Sequence, residues 1–242
     1  MDEGFWDHLE VLRRKILLVL GIILGAAVLL FLFGDGLMEL LLRLPRSYGI
    51  KMVYLRPYEK LAAYLQTAFM SALVCGVPLG LIEAASFILP GLDRRERRFF
   101  IPALVWIELL YIFGILFGYF LLVPYGVGFF AEFGSGEILP YWGIGGYIQT
   151  VLTLVLVSGL VFFQPVLIIF LVKTGFLETG TLKKGRKYVV VGLFLFAAVI
   201  TPPDVFTQIL VGGILYLLYE VSIMVGGFSF SRKKREVHDE QA

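Results

Sequence analysis

Three carboxylates fall inside long apolar runs of this chain: Glu83, Glu108 and Glu220, with Asp204 at the edge of another. An ionisable group among apolar neighbours is costly, so each is a candidate for proton handling or for pairing across helices. Glu83 lies one to two turns from the end of its run, where it can snorkel or bond a neighbouring helix. Asp204 follows Pro202-Pro203, and either caps the helix after it or belongs to a polar site. Glu220 has no basic residue within its own run; it is protonated, paired across helices, or turned to water. Two further acids sit among arginines. Glu10 precedes Arg13 and Arg14 at helical spacings, and Glu96 lies inside Asp93-Arg94-Arg95-Glu96-Arg97-Arg98. Such clusters are either solvated charged anchors or carboxylate sites for guanidinium groups, whose planar fork a carboxylate grips with two hydrogen bonds.

Other chemistries find little support. Cys75 is the single cysteine, so no intrachain disulfide or cysteine metal site is expected. His8 and His238 lie in opposite terminal segments, which argues against histidine metal or triad chemistry. No cofactor, metal or enzymatic activity is expected. A net charge of +2 is too small to suggest nucleic acid.

The elements that must carry these acids are membrane helices. Hydrophobic residues make up 59% of the 242, and mean hydropathy is +0.87. That exceeds what a soluble domain needs, and the excess needs lipid to face. The start of the chain lacks an early apolar core and a cleavage site, so the first run is read as an uncleaved helix. The runs are Ile16–Gly34, Ala62–Leu89, Phe99–Val123, Ile148–Val172, Tyr188–Thr201 and Val205–Phe228. The second carries Pro78 and the fourth Pro165. The fifth, closed by Pro202-Pro203, rises only about 21 Å against about 30 Å of hydrocarbon, so it forms a short hairpin with the sixth. Local thinning of the bilayer or a partner can match it. Pro124–Tyr147, rich in glycine and aromatic residues, reads as an outer loop lying at the interface or as plain connection.

Lysine and arginine set the orientation, because they are retained on the cytoplasmic side. Sixteen of the 21 fall before the first run, in Pro90–Arg98, in Lys173–Lys187 and after Phe228. The five on the other side all lie between Asp35 and Leu61. The expectation is an all-α integral membrane protein of six helices, multi-pass in the cytoplasmic (inner) membrane with both termini cytoplasmic. Residues 1–228 form one transmembrane domain, opened by an amphipathic segment 1–15, and 229–242 a charged cytoplasmic tail.

At these residues the chain resembles the TatC family, the polytopic core of the twin-arginine protein translocase, over His8 to Glu220. His8-Leu9-Glu10-Val11-Leu12-Arg13 is similar to the family's H-L-x-E-L-R. Leu55-Arg56-Pro57-Tyr58-Glu59 resembles its L-x-P-x-E. Pro90-Gly91-Leu92 followed by Glu96-Arg97-Arg98 resembles its first cytoplasmic loop. Thr201-Pro202-Pro203-Asp204-Val205-Phe206-Thr207-Gln208 resembles T-P-P-D-V-F-S-Q, the most specific run, and Tyr219-Glu220 its last-helix pair. The resemblance implies a receptor for signal peptides with two consecutive arginines. It also implies single-span TatA- and TatB-type partners, other copies of the same chain, and export of folded proteins on the proton-motive force. It implies Glu96 as the carboxylate for the signal's arginines, with Arg97 and Arg98 beside it and Arg13 supporting, and Thr201 and Gln208 as docking positions for partner helices.

Two positions depart from the pattern. The acid of H-L-x-E-L-R falls on Val11, with Glu10 one place earlier. The acid of F-E-x-P in the fourth helix falls on Phe163, with the polar Gln164 one place later. Glu10 and Gln164 then serve with small rotations, or fewer contacts suffice, or the chain is a divergent homologue. Glu83 and Glu108 are extra acids that the family usually lacks. The competing reading is a proton-coupled secondary transporter with Glu83, Glu108 and Glu220 as its relay. Against it, no repeat relates the first three runs to the last three.

Overall fold

The structure, a computed structural model, describes residues 3–133, 141–173, 177, 179–200 and 205–239. In chain order the helices are α1 (Glu3–Leu32), α2 (Gly34–Ser47), α3 (Glu59–Ile88), α4 (Arg94–Phe117), α5 (Val123–Glu132), α6 (Ile144–Val161), α7 (Gln164–Lys173), α8 (Thr179–Ile200) and α9 (Val205–Asp239). Two three-residue strands, β1 (Lys51–Val53) and β2 (Tyr141–Gly143), pair in parallel with Lys51 opposite Tyr141. Among the described residues, five helical segments are long and apolar enough to cross a membrane: Leu9–Leu32, Glu59–Gly91, Glu96–Glu132, Ile144–Val172 and Val205–Gly226. α8 is the remaining span, fifth in chain order and the short one: its first turns carry Lys183, Lys184, Arg186 and Lys187, leaving its apolar stretch brief. The chain forms two compact units, residues 1–105 with 123–153, and residues 106–122 with 154–242.

In the first unit, α1 packs along α3. Lipid tails are as apolar as leucine, so helices in a membrane gain little from apolar burial and rely on close approach through small residues. Ala68, Ala72 and Gly76 of α3 are buried at helical spacing, and Gly76 lies directly against Ile23. One further turn on, Gly80 faces Val19. The seam ends at its polar edge with Lys15, whose Nζ donates to Glu83 Oε2 at 3.0 Å and also to Ser86 Oγ. The opposite face of α1, including Leu17, Leu24, Val28 and Leu32, is exposed, as a lipid-facing surface must be.

Four features differ from the sequence expectation. The Asp35–Leu61 connection contains α2, an amphipathic helix that buries Gly34, Met38, Leu41, Leu42 and Pro45. The third span does not end at Val123. A π-turn at Gly118–Leu122 loosens the ladder just before Pro124, and the helix continues through that proline to Glu132. Pro124–Tyr147 is therefore partly helix and strand. The fourth span breaks at Phe162–Phe163, where the Phe163 carbonyl accepts from both Val166 and Leu167, with Pro165 in the first turn of α7. Finally, α9 runs on to Asp239, so most of the 229–242 tail is helical backbone.

In the second unit, α4 meets α6 through glycine. A Cβ on Gly114 would stand 2.7 Å from the Ser158 carbonyl oxygen, and one on Gly118 would stand 2.9 Å from Ser158 Cβ. The Ser158 hydroxyl donates to the Gly114 carbonyl at 2.7 Å. Because the obstacle at Gly114 is backbone, it cannot step aside. Gly114→Ala is expected to cost about 1–3 kcal/mol by overpacking, read as a lower unfolding midpoint in nanodiscs. Gly25→Ala, where nothing stands within 4 Å, is expected to leave the midpoint unchanged or raise it. On the other seam, Glu83→Ala strands the Lys15 ammonium and is expected to lower the midpoint. Lys15→Met with Glu83→Leu is expected to recover most of that loss, because removing both charges leaves neither unpaired.

Candidate functional site

Glu96 is the third residue of α4, on the link between α3 and α4. Its Oε2 accepts the Asp93 backbone N–H at 3.2 Å, while the Arg97 N–H donates to the Asp93 carbonyl at 2.9 Å. This is one half of a capping box: an acid at the third helical position reaches back to the capping residue and satisfies a free amide. The bond steadies the carboxylate. Glu96, Arg97 and Arg98 are all exposed. The carboxylate therefore has lone pairs left for a guanidinium arriving from outside.

The rotation of α1 decides what its acids face. Lys15, Val19 and Ile23 define the side turned to α3. Counting back, Val11 lies about 40° from the Lys15 direction and Glu10 about 140°, at 3.6 residues per turn. Glu10 thus shares the far side of α1 with Arg13 and Arg14, all three exposed, and no ion pair joins them among the described residues. Val11 occupies the side near α3, and is 46% exposed. A small rotation does not bring Glu10 to the place of Val11.

The intramembrane acids divide into partnered and unpartnered. Glu83 is bound to Lys15 and Ser86, a pairing that sequence reading missed because Lys15 was counted with the flanking charges. Glu220 accepts from Arg186 at 2.7 Å and from the Tyr216 hydroxyl at 3.0 Å, which selects pairing across helices from its three readings. Tyr219 beside it donates to the Leu182 carbonyl, so α9 is tied to α8 at two points. Glu108 has an oxygen buried without a partner, and so has Gln164. Gln208 donates its amide to the Phe194 carbonyl at 3.3 Å, again joining α9 to α8. Thr201 and Asp204 lie outside the described residues.

On the other face, the Leu55–Glu59 motif proves to be an anchor. Glu59 accepts the N–H groups of Leu55 at 2.7 Å and Arg56 at 3.3 Å, and through its second oxygen that of Gly145 at 3.3 Å. Gly145 is in the first turn of α6, where amides have no partner within the helix. Tyr64 donates to Asp35 at 2.8 Å, and Tyr147 to the Leu41 carbonyl at 2.7 Å, which secures α2. Sequence reading did not single out Asp35, Tyr64 or Tyr147; the alternation of buried and charged residues across Gly34–Arg46 was the available signal. Among the described residues no group of three metal-binding side chains occurs.

The family model for TatC, the Sec-independent protein translocase protein, matches residues 7–213. Among curated relatives, the TatC of Desulforapulum autotrophicum is 32% identical, over 98% of this chain and 89% of its own. That of Aquifex aeolicus is 34% identical over 96% and 97% respectively. A solved crystal structure of the twin arginine translocase receptor TatC is 32% identical, with a TM-score of 0.81 over 92% of this chain and 99% of its own. A second, in detergent, is 33% identical with a TM-score of 0.80. By sequence, by motif and by fold, this multi-span membrane protein belongs to the TatC family of Sec-independent protein translocase proteins.

Proposed function

We propose that this chain is the signal-peptide receptor and core subunit of a twin-arginine translocase in the cytoplasmic membrane. Both its termini are cytoplasmic. It works with other copies of itself and with single-span TatA- and TatB-type partners, and exports folded proteins on the proton-motive force. The similarity to solved structures of a twin arginine translocase receptor supports this reading. The single observation that carries it is Glu96: an exposed carboxylate, steadied by the capping residue of its own helix, with free acceptor positions. Arginine pairs with such a group through two parallel hydrogen bonds, while lysine offers a point charge. Arg97 and Arg98 keep the surroundings cationic. They raise the cost of a badly placed positive charge and so sharpen the choice. Thr201 and Gln208, on either side of Pro202-Pro203 in the sequence, are the proposed contacts for a partner helix.

The transporter reading gains nothing from the geometry. A relay needs acids free to exchange protons, and Glu83 and Glu220 are each bound to a cation.

The test is binding of a precursor signal peptide to the purified protein in nanodiscs. An Arg-Arg peptide is expected to bind at least about tenfold more tightly than its Lys-Lys twin, the size of one charge-assisted hydrogen bond. Glu96→Ala is expected to abolish that difference. Glu10→Ala, altering an acid on the far side of α1, is expected to change affinity by less than about fivefold, as exposed charges do. Equal binding of both peptides to the unaltered protein would refute the receptor reading.

A further inference from the structure

Glu108 of α4 and Gln164, the first residue of α7, each bury an Oε1 atom that has no hydrogen-bond partner among the described residues. Both lie within segments apolar enough to span the membrane. A buried acceptor left without a donor costs about 1–3 kcal/mol.

The register of the seam places the two at the same level. A Cβ on Gly118 would meet Val155 and Ser158; one on Gly114 would meet Ser158, Gly159 and Phe162. The Tyr111 ring fills the space beside Gly159 and lies 5.5 Å from the Phe163 ring. Each step back along α4 is matched by a step forward along α6, as antiparallel helices require. The next step back on the same side of α4, three residues from Tyr111, is Glu108. The next residue forward from Phe163 is Gln164. An ionised carboxylate and an amide oxygen brought to the same level repel each other. A neutral carboxyl has one O–H to donate.

We propose that Glu108 is held as the neutral acid and donates its O–H to Gln164 Oε1, so that a single proton links α4 to α7 just after the break at Phe162–Phe163. One proton satisfies both bare acceptors. Turning the amide so that its N–H faces an ionised Glu108 would satisfy the geometry but leave a net charge in an apolar seam, which is the costlier arrangement. Among the described residues no ion pair relieves that charge. Tyr111 is the titratable group alongside on α4, and α6 and α7 carry no charged residue before Lys173. On α9, which packs against α7, the described groups are Tyr216, Tyr219 and Glu220, the last already matched by Arg186. Loss of the proton therefore sets acceptor against acceptor and releases α7 from α4. The pair is a latch that a proton closes.

Infrared difference spectra of the full chain in nanodiscs test this, and they need no translocation, so the result is independent of the receptor reading. Wild type is expected to show a protonated-carboxyl C=O stretch that Glu108→Gln lacks. Gln164→Leu is expected to shift that band to higher frequency. A Glu108 signal found only as carboxylate, or a band that Gln164→Leu leaves in place, would overturn the proposal. Unfolding midpoints supply a second readout. Glu108→Gln is expected to keep the wild-type value, because its amide also donates across the seam. Glu108→Ala and Gln164→Leu are expected to lower it, and the double variant Glu108→Leu/Gln164→Leu to regain it. Four equal midpoints would sink the link.

Discussion

Inside a bilayer no water competes for backbone amides and no apolar burial pushes helices together. Each span must therefore close its own hydrogen bonds, and its seams must be made by close approach or by polar contacts. The chain uses glycine and alanine for the first: Ala72, Gly76 and Gly80 on α3, and Gly114, Gly118 and Gly159 where α4 meets α6. It uses a small set of directed polar bonds for the second. Lys15 to Glu83, Ser158 to Gly114, and Arg186 to Glu220 each sit on a seam already closed by shape. Where the ladder is interrupted, at the π-turn before Pro124 and at Phe162–Phe163, the break falls beside a proline that cannot donate.

The same constraint sorts the acids by role. A carboxylate in or near hydrocarbon persists only with a partner, so Glu83 and Glu220 are spoken for by cations from neighbouring helices. Glu59, at the start of α3, collects three backbone amides and so fastens the loop before it to the start of α6. Glu96 differs from all of these. It spends one oxygen on its own helix cap and keeps the rest of its acceptor capacity outward. Acids that hold helices together are thereby separated from the acid available to a visiting guanidinium. That contrast, more than the presence of a carboxylate, sets Glu96 apart from the acids that hold the fold together.

Hydropathy alone located the spans, because lipid exposure leaves no alternative to long apolar runs. The short fifth span was also legible, since Pro202-Pro203 stops it and four basic residues open α8. Other features depended on distant partners. The pairing of β1 with β2 joins Lys51 to Tyr141, and no local pattern in three residues announces it. α2 was hidden because its charged face made a helix look like a loop. The third helix passes Pro124 because the turn before it widens, an accommodation that no propensity scale encodes. Glu220 could be narrowed to three states from sequence; choosing among them needed the position of Arg186, 34 residues away.

The Glu10 and Val11 question shows how a remote contact sets the character of a site. From sequence, one residue of offset looks small enough for a helix to absorb by turning. Once Lys15 is bound to Glu83, however, α1 cannot turn freely. Its side at Lys15, Val19 and Ile23 is committed to α3 along several turns. With the rotation fixed, the offset of one residue becomes a separation of about 100° between two directions. Positions 10 and 11 then face different directions, because the seam that fixes α1 is the same seam that keeps Glu10 on its far side. On the proposed reading, paired arginines would then be met by Glu96 more than the motif, read as a string of letters, suggests.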